Sequence, residues 1–260
     1  MENIRKIIID AGHGGSDPGA VYNGRKEKDD VLQLAFDLGN ALERRGIQVE
    51  YTRVTDVYDS PEEKAAMGNE SGADYFVSIH RNAMPSPNSA SGIENLVFKN
   101  SGIPGLLGKN IGEALASAGW TDLGVKERPG LVVLRSTKMP AVLIEAGFID
   151  SDRDNAFFDA NMAATADAIA DGILRTFEQQ EQMNAGEQPG FYMVQTGVFR
   201  TRELADRQLE RLKSQGYPGF LVAKNGLFYV RAGAFRELDN AIRMEQELRR
   251  KGYNTVLIRT

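Results

Sequence analysis

The sequence predicts an α/β fold, a mostly parallel mixed sheet covered by helices on both faces, followed by a small α+β domain of βαββαβ (ferredoxin-like) order. Three observations carry that prediction. Short apolar, β-branched runs such as Ile7-Ile8-Ile9 alternate with stretches of helical spacing. Near residue 178 the composition shifts into a polar stretch without apolar periodicity. Beyond it the chain repeats itself at an offset of 36 residues.

The elements follow in order. Ile7-Ile8-Ile9 reads as a buried strand, closed by Asp10-Ala11-Gly12-His13-Gly14-Gly15. Asp17-Pro18-Gly19 is turn chemistry. After the polar stretch Asn23–Asp30, Val31, Ala35, Leu38 and Leu42 share one helix face, and Gly46 stops the helix behind Arg44-Arg45. Glu27 is expected in a loop just ahead of that helix, able to swing toward His13. Ile47–Tyr51 alternates as a strand would, and Ser60-Pro61-Glu62-Glu63 opens a helix with proline in its first turn. Tyr75–Ile79 is the next buried strand and delivers His80, and Gly92–Phe98 supplies another. Leu106, Leu107, Ile111, Ala114 and Leu115 mark a helix. Leu131–Leu134 and Ala141–Ile144 are two more apolar runs, the second ending at Glu145-Ala146-Gly147. A last helix, about 158–178, carries Met162, Ala166, Ile169, Ile173 and Phe177 on one side.

These readings divide the chain into a domain over 1–178, a linker over 179–189 and a second domain over 190–260. In the repeat, Val194–Arg200 matches Val230–Arg236, and Gly216-Tyr217 recurs as Gly252-Tyr253 without a gap. Each copy reads strand, helix, Gly-Tyr turn, strand.

At 260 residues the chain can bury one sizeable core and a smaller one. The net charge of −5 hides a split, because residues from Pro189 onward hold 13 Lys+Arg against 7 Asp+Glu. An acidic body with a basic tail suggests two domains meeting different parts of an anionic partner. No stretch approaches the roughly 18 apolar residues of a membrane span. Met1–Lys6 runs straight into the first strand with no room for a signal peptide's apolar stretch, so the expectation is either a leader trimmed from this sequence or release without the usual export route. Without cysteine, any metal here needs nitrogen and oxygen donors.

Strand ends in open α/β sheets are where ligands bind, and His13 and His80, the only histidines, are both expected there. Hydrolytic zinc takes three protein ligands and leaves a position open, and two histidines with one carboxylate is an established set. Glu27 is the best-placed third ligand. A general base should stand nearby, and Glu145 follows Val142-Leu143-Ile144, where a carboxylate is costly unless paired, bound or catalytic. The HExxH helix of familiar zinc proteases is absent.

Asp10–Gly15, the Gly24–Lys28 loop, Ser78-Ile79-His80-Arg81-Asn82-Ala83 and Pro140–Phe148 together resemble the zinc-dependent N-acetylmuramoyl-L-alanine amidases of bacterial cell-wall turnover. The resemblance spans about residues 4–177. It implies one Zn2+ bound by His13, Glu27 and His80, with Glu145 as the catalytic base, and hydrolysis of the amide between the lactyl group of N-acetylmuramic acid and L-alanine in peptidoglycan. Asn82, Arg135 and Arg81 are the expected substrate contacts. Two departures from the family pattern are visible, Arg81 where a small residue is usual and Asp30 where asparagine is common.

The repeated tail resembles the SPOR domain, a peptidoglycan-binding module, which implies glycan contacts from Gln195, Tyr229 and Arg231 on an exposed sheet face. An RNA-recognition sheet is disfavoured because the Lys/Arg-Gly-Phe motif is missing, so no nucleic-acid partner is expected. The combined expectation is a monomeric hydrolase acting on the cell wall, an autolysin or a phage endolysin, released by lysis of a sporulating mother cell or a phage-infected cell. The alternatives are a non-catalytic wall-binding protein and a metal-dependent sugar deacetylase.

Overall fold

The computed structural model describes residues 5–186 and 190–259. The N-terminal reading at Met1–Ile4 and the end of the expected linker, Glu187-Gln188-Pro189, lie outside the described residues. The chain divides into two compact units, Met1–Glu181 and Gln182–Thr260.

In the first unit the elements run β1 (Lys6–Ala11), β2 (Val21–Tyr22), β3 (Arg25–Lys26), α1 (Glu27–Glu43), β4 (Gln48–Tyr51), α2 (Pro61–Ser71) and β5 (Tyr75–Asn82). They continue as β6 (Ile93–Val97), α3 (Gly102–Ser117), β7 (Asp122–Glu127), α4 (Val132–Arg135), β8 (Ala141–Phe148) and α5 (Asp152–Gly186). Six strands form one sheet in the order β4-β1-β5-β8-β6-β7. Strands β4, β1, β5 and β8 are mutually parallel, whereas β6 runs antiparallel to β8 and β7 parallel to β6. This is the mostly parallel mixed sheet expected.

Strand alternation sorts the side chains onto two faces. Ile7, Ile9, Val77, Ile79, Val142 and Ile144 meet apolar residues of α1, α3 and α5 in the larger core. Ile8, Phe76 and Leu143 meet the smaller core with Val133 and Leu134 of α4. His80 and Glu145 continue the second face, and they stand opposite one another in the β5–β8 register.

Three expectations differ from the structure, and one strand was not predicted. Glu27 is the first residue of α1, not part of a mobile loop. Val132–Arg135 coil into a single helical turn, since Val133 and Leu134 are buried only by turning together toward the sheet. Strand β7 escaped notice because an edge strand with Asp122, Gly124, Lys126 and Glu127 lacks a long apolar run. Helix α5 begins at Asp152, departs from helical geometry at Asn161 (φ −130°) and continues to Gly186, through much of the expected linker. Glu, Gln, Met and Ala carry no core signal, yet they are good helix formers and extend a helix already nucleated by packing.

The second unit runs β9 (Tyr192–Phe199), α6 (Arg202–Ser214), β10 (Gly219–Lys224), β11 (Leu227–Phe235), α7 (Leu238–Arg250) and β12 (Val256–Arg259). Its strands form an antiparallel sheet in the order β10-β11-β9-β12. Val194, Val230 and Ala232 pack with Ala205, Leu212 and Leu248 of the two helices on one face.

Candidate active site and metal centre

His13 leaves the end of β1 with φ +59°, a left-handed conformation that non-glycine residues adopt with strain. Gly12 before it leaves room for a neighbour: a Cβ there would stand 2.4 Å from the His80 ring. The two imidazoles meet edge to face with centroids 4.8 Å apart. Between them lies the Glu27 carboxylate, 4% exposed. Its Oε2 is 3.1 Å from His13 Nε2 and its Oε1 is 3.0 Å from His80 Nδ1. The backbone N–H groups of Arg81 and Ala20 each donate to it at 2.9 Å. One ligand atom from each of the three residues lies within 4.8 Å of the others, the one such three-residue group among the described residues.

The charges are mutually adjusted. Burial alone would push the His13 imidazole down, but hydrogen bonds and the charges of Glu27 and Asp17 lift it to about 9. Burial would raise Glu27, and the two histidines instead hold it well below the usual carboxylate range. Two nitrogens and one carboxylate oxygen converging without a thiolate fit zinc, which accepts this set and leaves a position open.

A supporting layer went unread in the sequence. Asp17, taken for a turn residue, has its Oδ2 2.8 Å from His13 Nδ1, which leaves Nε2 turned to Glu27. A carboxylate behind a ligand imidazole fixes its tautomer and orientation. Beneath the His13 loop, Lys64 of α2 donates to the Ala11 carbonyl at 2.7 Å and pairs with Asp10 at 3.0 Å. Arg53 donates to the carbonyls of Ala11, Gly12 and Lys28. No apolar period or motif marks these residues, which reach the site across long stretches of chain.

Glu145 lies inside β8 rather than at its end, across from His80 on one side and Glu94 of β6 on the other. Burial pushes its carboxyl up to about 7, with Glu27 and Glu94 adding to the effect against His80 and His13. Its Oε2 is enclosed and has no hydrogen-bond partner among the described residues. Glu94 is itself buried, paired with Lys126 and reached by the Asn82 amide at 3.4 Å. The signal that marked Glu145, a carboxylate within a buried run, also marks Glu94. Beside His13 and His80 opens a cavity of about 320 Å³, walled by Tyr58, Leu131, Val132 and Lys64.

The remaining expected contacts divide. Asn82 is half-buried beside Glu94. Arg135 is exposed at the end of α4, next to the cavity wall rather than at the histidines. Arg81 is corrected: it follows His80 on the strand, so alternation turns it to the opposite face, where its side chain is fully enclosed and cannot touch substrate. In the second unit, Gln195 pairs directly with Arg231 across β9 and β11, and the Arg231 guanidinium lies 5.7 Å from the Tyr229 ring. All three project from the face opposite Val194, Val230 and Ala232.

The site thus gathers two imidazoles, a buried carboxylate between them and a second carboxylate whose proton affinity is raised, a set compatible with hydrolytic chemistry. Residues 7–175 match the family described as N-acetylmuramoyl-L-alanine amidase, and the chain belongs to that family. It is 33% identical over 227 residues to the sporulation-specific N-acetylmuramoyl-L-alanine amidase of Bacillus subtilis, covering 85% of each chain. It is 34% identical over 226 residues to the N-acetylmuramoyl-L-alanine amidase CwlM of Bacillus licheniformis, again covering 85% of each. The crystal structure of an N-acetylmuramoyl-L-alanine amidase from Clostridium difficile 630 is similar at 34% identity and a TM-score of 0.65, over 69% of this chain and all of that one. The catalytic domain of CwlV from Bacillus (Paenibacillus) polymyxa is similar at 29% identity and a TM-score of 0.63, over 67% of this chain and 99% of that one.

Proposed function

We propose that this amidase uses one zinc ion, held by His13, Glu27 and His80, to hydrolyse the amide between N-acetylmuramic acid and L-alanine of the stem peptide in peptidoglycan. The observation that carries the reading is the convergence of those three ligand atoms opposite a carboxylate with an unpartnered oxygen. When bound, zinc supplies the Lewis acidity that amide hydrolysis needs. Glu145 is the general base, because its raised proton affinity lets it take a proton from water and return it to the leaving amine near neutral pH. Asp17 keeps His13 in the ligating tautomer, and Lys64 and Arg53 hold the strained loop that presents it. Asn82, half-buried beside Glu145's strand, and Arg135, near the cavity wall, are substrate contacts. The second unit grips wall glycan through Gln195, Tyr229 and Arg231, a reading supported by a half-buried aromatic ring and a cation side by side on the sheet face opposite the helices.

The test is digestion of purified sacculi with product analysis by mass. Free stem peptides should appear, vanish with a chelator and return with zinc. Glu145→Gln should lower their release about 10²–10⁴-fold while the protein still takes up zinc. Released acetate would favour a deacetylase, and no product at all from zinc-loaded protein would favour a wall-binding role.

A further inference from the structure

Arg81 contacts three elements besides its own strand, α1, β8 and α5. Its guanidinium meets Asp30 Oδ2 at 2.5 Å, one turn into α1 from Glu27. It also donates, at 3.3 Å each, to the carbonyls of Ala146 and Phe148 on β8, immediately past Glu145. Its carbon centre lies 4.3 Å from the Phe158 ring on α5. Arg25 closes the group, donating to Asp30 at 2.6 Å and to both oxygens of Asp159. The backbone N–H of Arg81 meanwhile binds Glu27 Oε1.

Helix α1 has Lys26 as its N-cap, without a side-chain capping bond, and its first turn is held locally by the Glu27 and Lys28 N–H groups donating to the Ala20 and Pro18 carbonyls. Arg81 adds the tie from that turn to β8. Glu27 is the first residue of that turn, and any drift of the helix end moves its carboxylate away from the imidazoles. A planar fork with several fixed donors can hold α1 and β8 at once, which a lysine ammonium on a flexible stem cannot.

We propose that Arg81 is a positioning residue, a buried clamp that locks the helix start bearing Glu27 and the strand segment bearing Glu145 against His80, and so sets metal affinity and turnover. The proposal rests on reading His13, Glu27 and His80 as the zinc site. The His13 loop is held from the other side by Lys64, Arg53 and Asp17, with Arg53 also reaching the Lys28 carbonyl, so the clamp's own contacts bear on the segments of Glu27, His80 and Glu145.

The experiment compares wild type with Arg81→Lys and with the double variant Arg81→Met/Asp30→Asn, which leaves no uncompensated buried charge in the Arg81–Asp30 pair. Zinc affinity is measured by competition with a chromophoric chelator, melting temperature by circular dichroism, and kcat and KM on a soluble muropeptide. Both variants should bind zinc about tenfold or more weakly, as loss of outer-layer partners does elsewhere, with kcat lowered and KM unchanged. Folded variants with wild-type zinc affinity and kcat would overturn the proposal. So would a change confined to melting temperature, or failure of both variants to fold, either of which assigns Arg81 to stability alone. Wild-type protein that takes up no zinc would instead end the metal-site reading itself.

Discussion

Burial opposes the charge of Glu145, and that opposition has a thermodynamic signature. Its folded-state proton affinity of about 7 lies above the ordinary value of 4.5. Between those values the folded protein keeps a proton that the unfolded chain has lost, so stability falls as pH rises through the interval. Glu145→Gln has no such proton to lose. In metal-free protein it should therefore gain stability over wild type between pH 4 and pH 8 by on the order of 2–3 kcal/mol. Urea unfolding at the two pH values measures this, and an equal difference at both would show that the carboxyl does not titrate in that window. The four residues proposed for chemistry stand out for different reasons: the two histidines because the chain has no others, Glu145 because it follows a buried run, and Glu27 only by its place in a polar stretch ahead of a helix. Arg81 was misjudged because adjacency in sequence ignores the pleat, which turns neighbours to opposite faces. Asp17 was passed over because a turn and a ligand-orienting carboxylate use the same residue. The pairing of Arg81 with Asp30, the two departures from the family pattern, joins them in one buried contact.

At the scale of elements, α2 shows how a local signal reaches the site. Ser60 accepts from the Glu63 N–H, and Glu63 accepts in return from the Ser60 N–H at 2.8 Å, a complete capping box behind Pro61. The helix so started carries Lys64 under the His13 loop. Ser60→Ala should cost about 1 kcal/mol of stability, read as a lower urea midpoint, and an unchanged midpoint would mean that the cap does not limit the helix. The box was legible in the sequence, as were the buried strands, since both are written in neighbouring residues. Strand β7 and the turn of α4 were not, because each owes its form to a partner distant in sequence: β7 to pairing with β6, α4 to burial on the sheet. The extension of α5 belongs to the same class, its polar residues being compatible with a linker until a packed helix is there to propagate.

For the whole molecule, each unit has its own apolar interior. The two cores of the first unit draw on residues up to Phe177, and that of the second begins at Val194. No helix among the described residues is long and apolar enough to cross a membrane. The second unit carries an excess of basic residues against the acidic first part of the chain, and its sheet face opposite the two helices carries Gln195, Tyr229 and Arg231, each half-buried. If that face supplies the grip, its contribution is one of local concentration: a second attachment holds the catalytic unit near further bonds on the same polymer without altering the chemistry. A chain ending at Gly186 should thus keep its melting temperature and stay within about twofold of the full chain in kcat/KM on a soluble muropeptide, while losing about tenfold or more in rate on intact sacculi. Tyr229→Ala/Arg231→Ala in the full chain should reproduce the second effect without the truncation. A truncated chain that digests sacculi as fast as the full one would remove the second unit from wall binding, and one that fails on the soluble substrate would show that the two units share the work of catalysis.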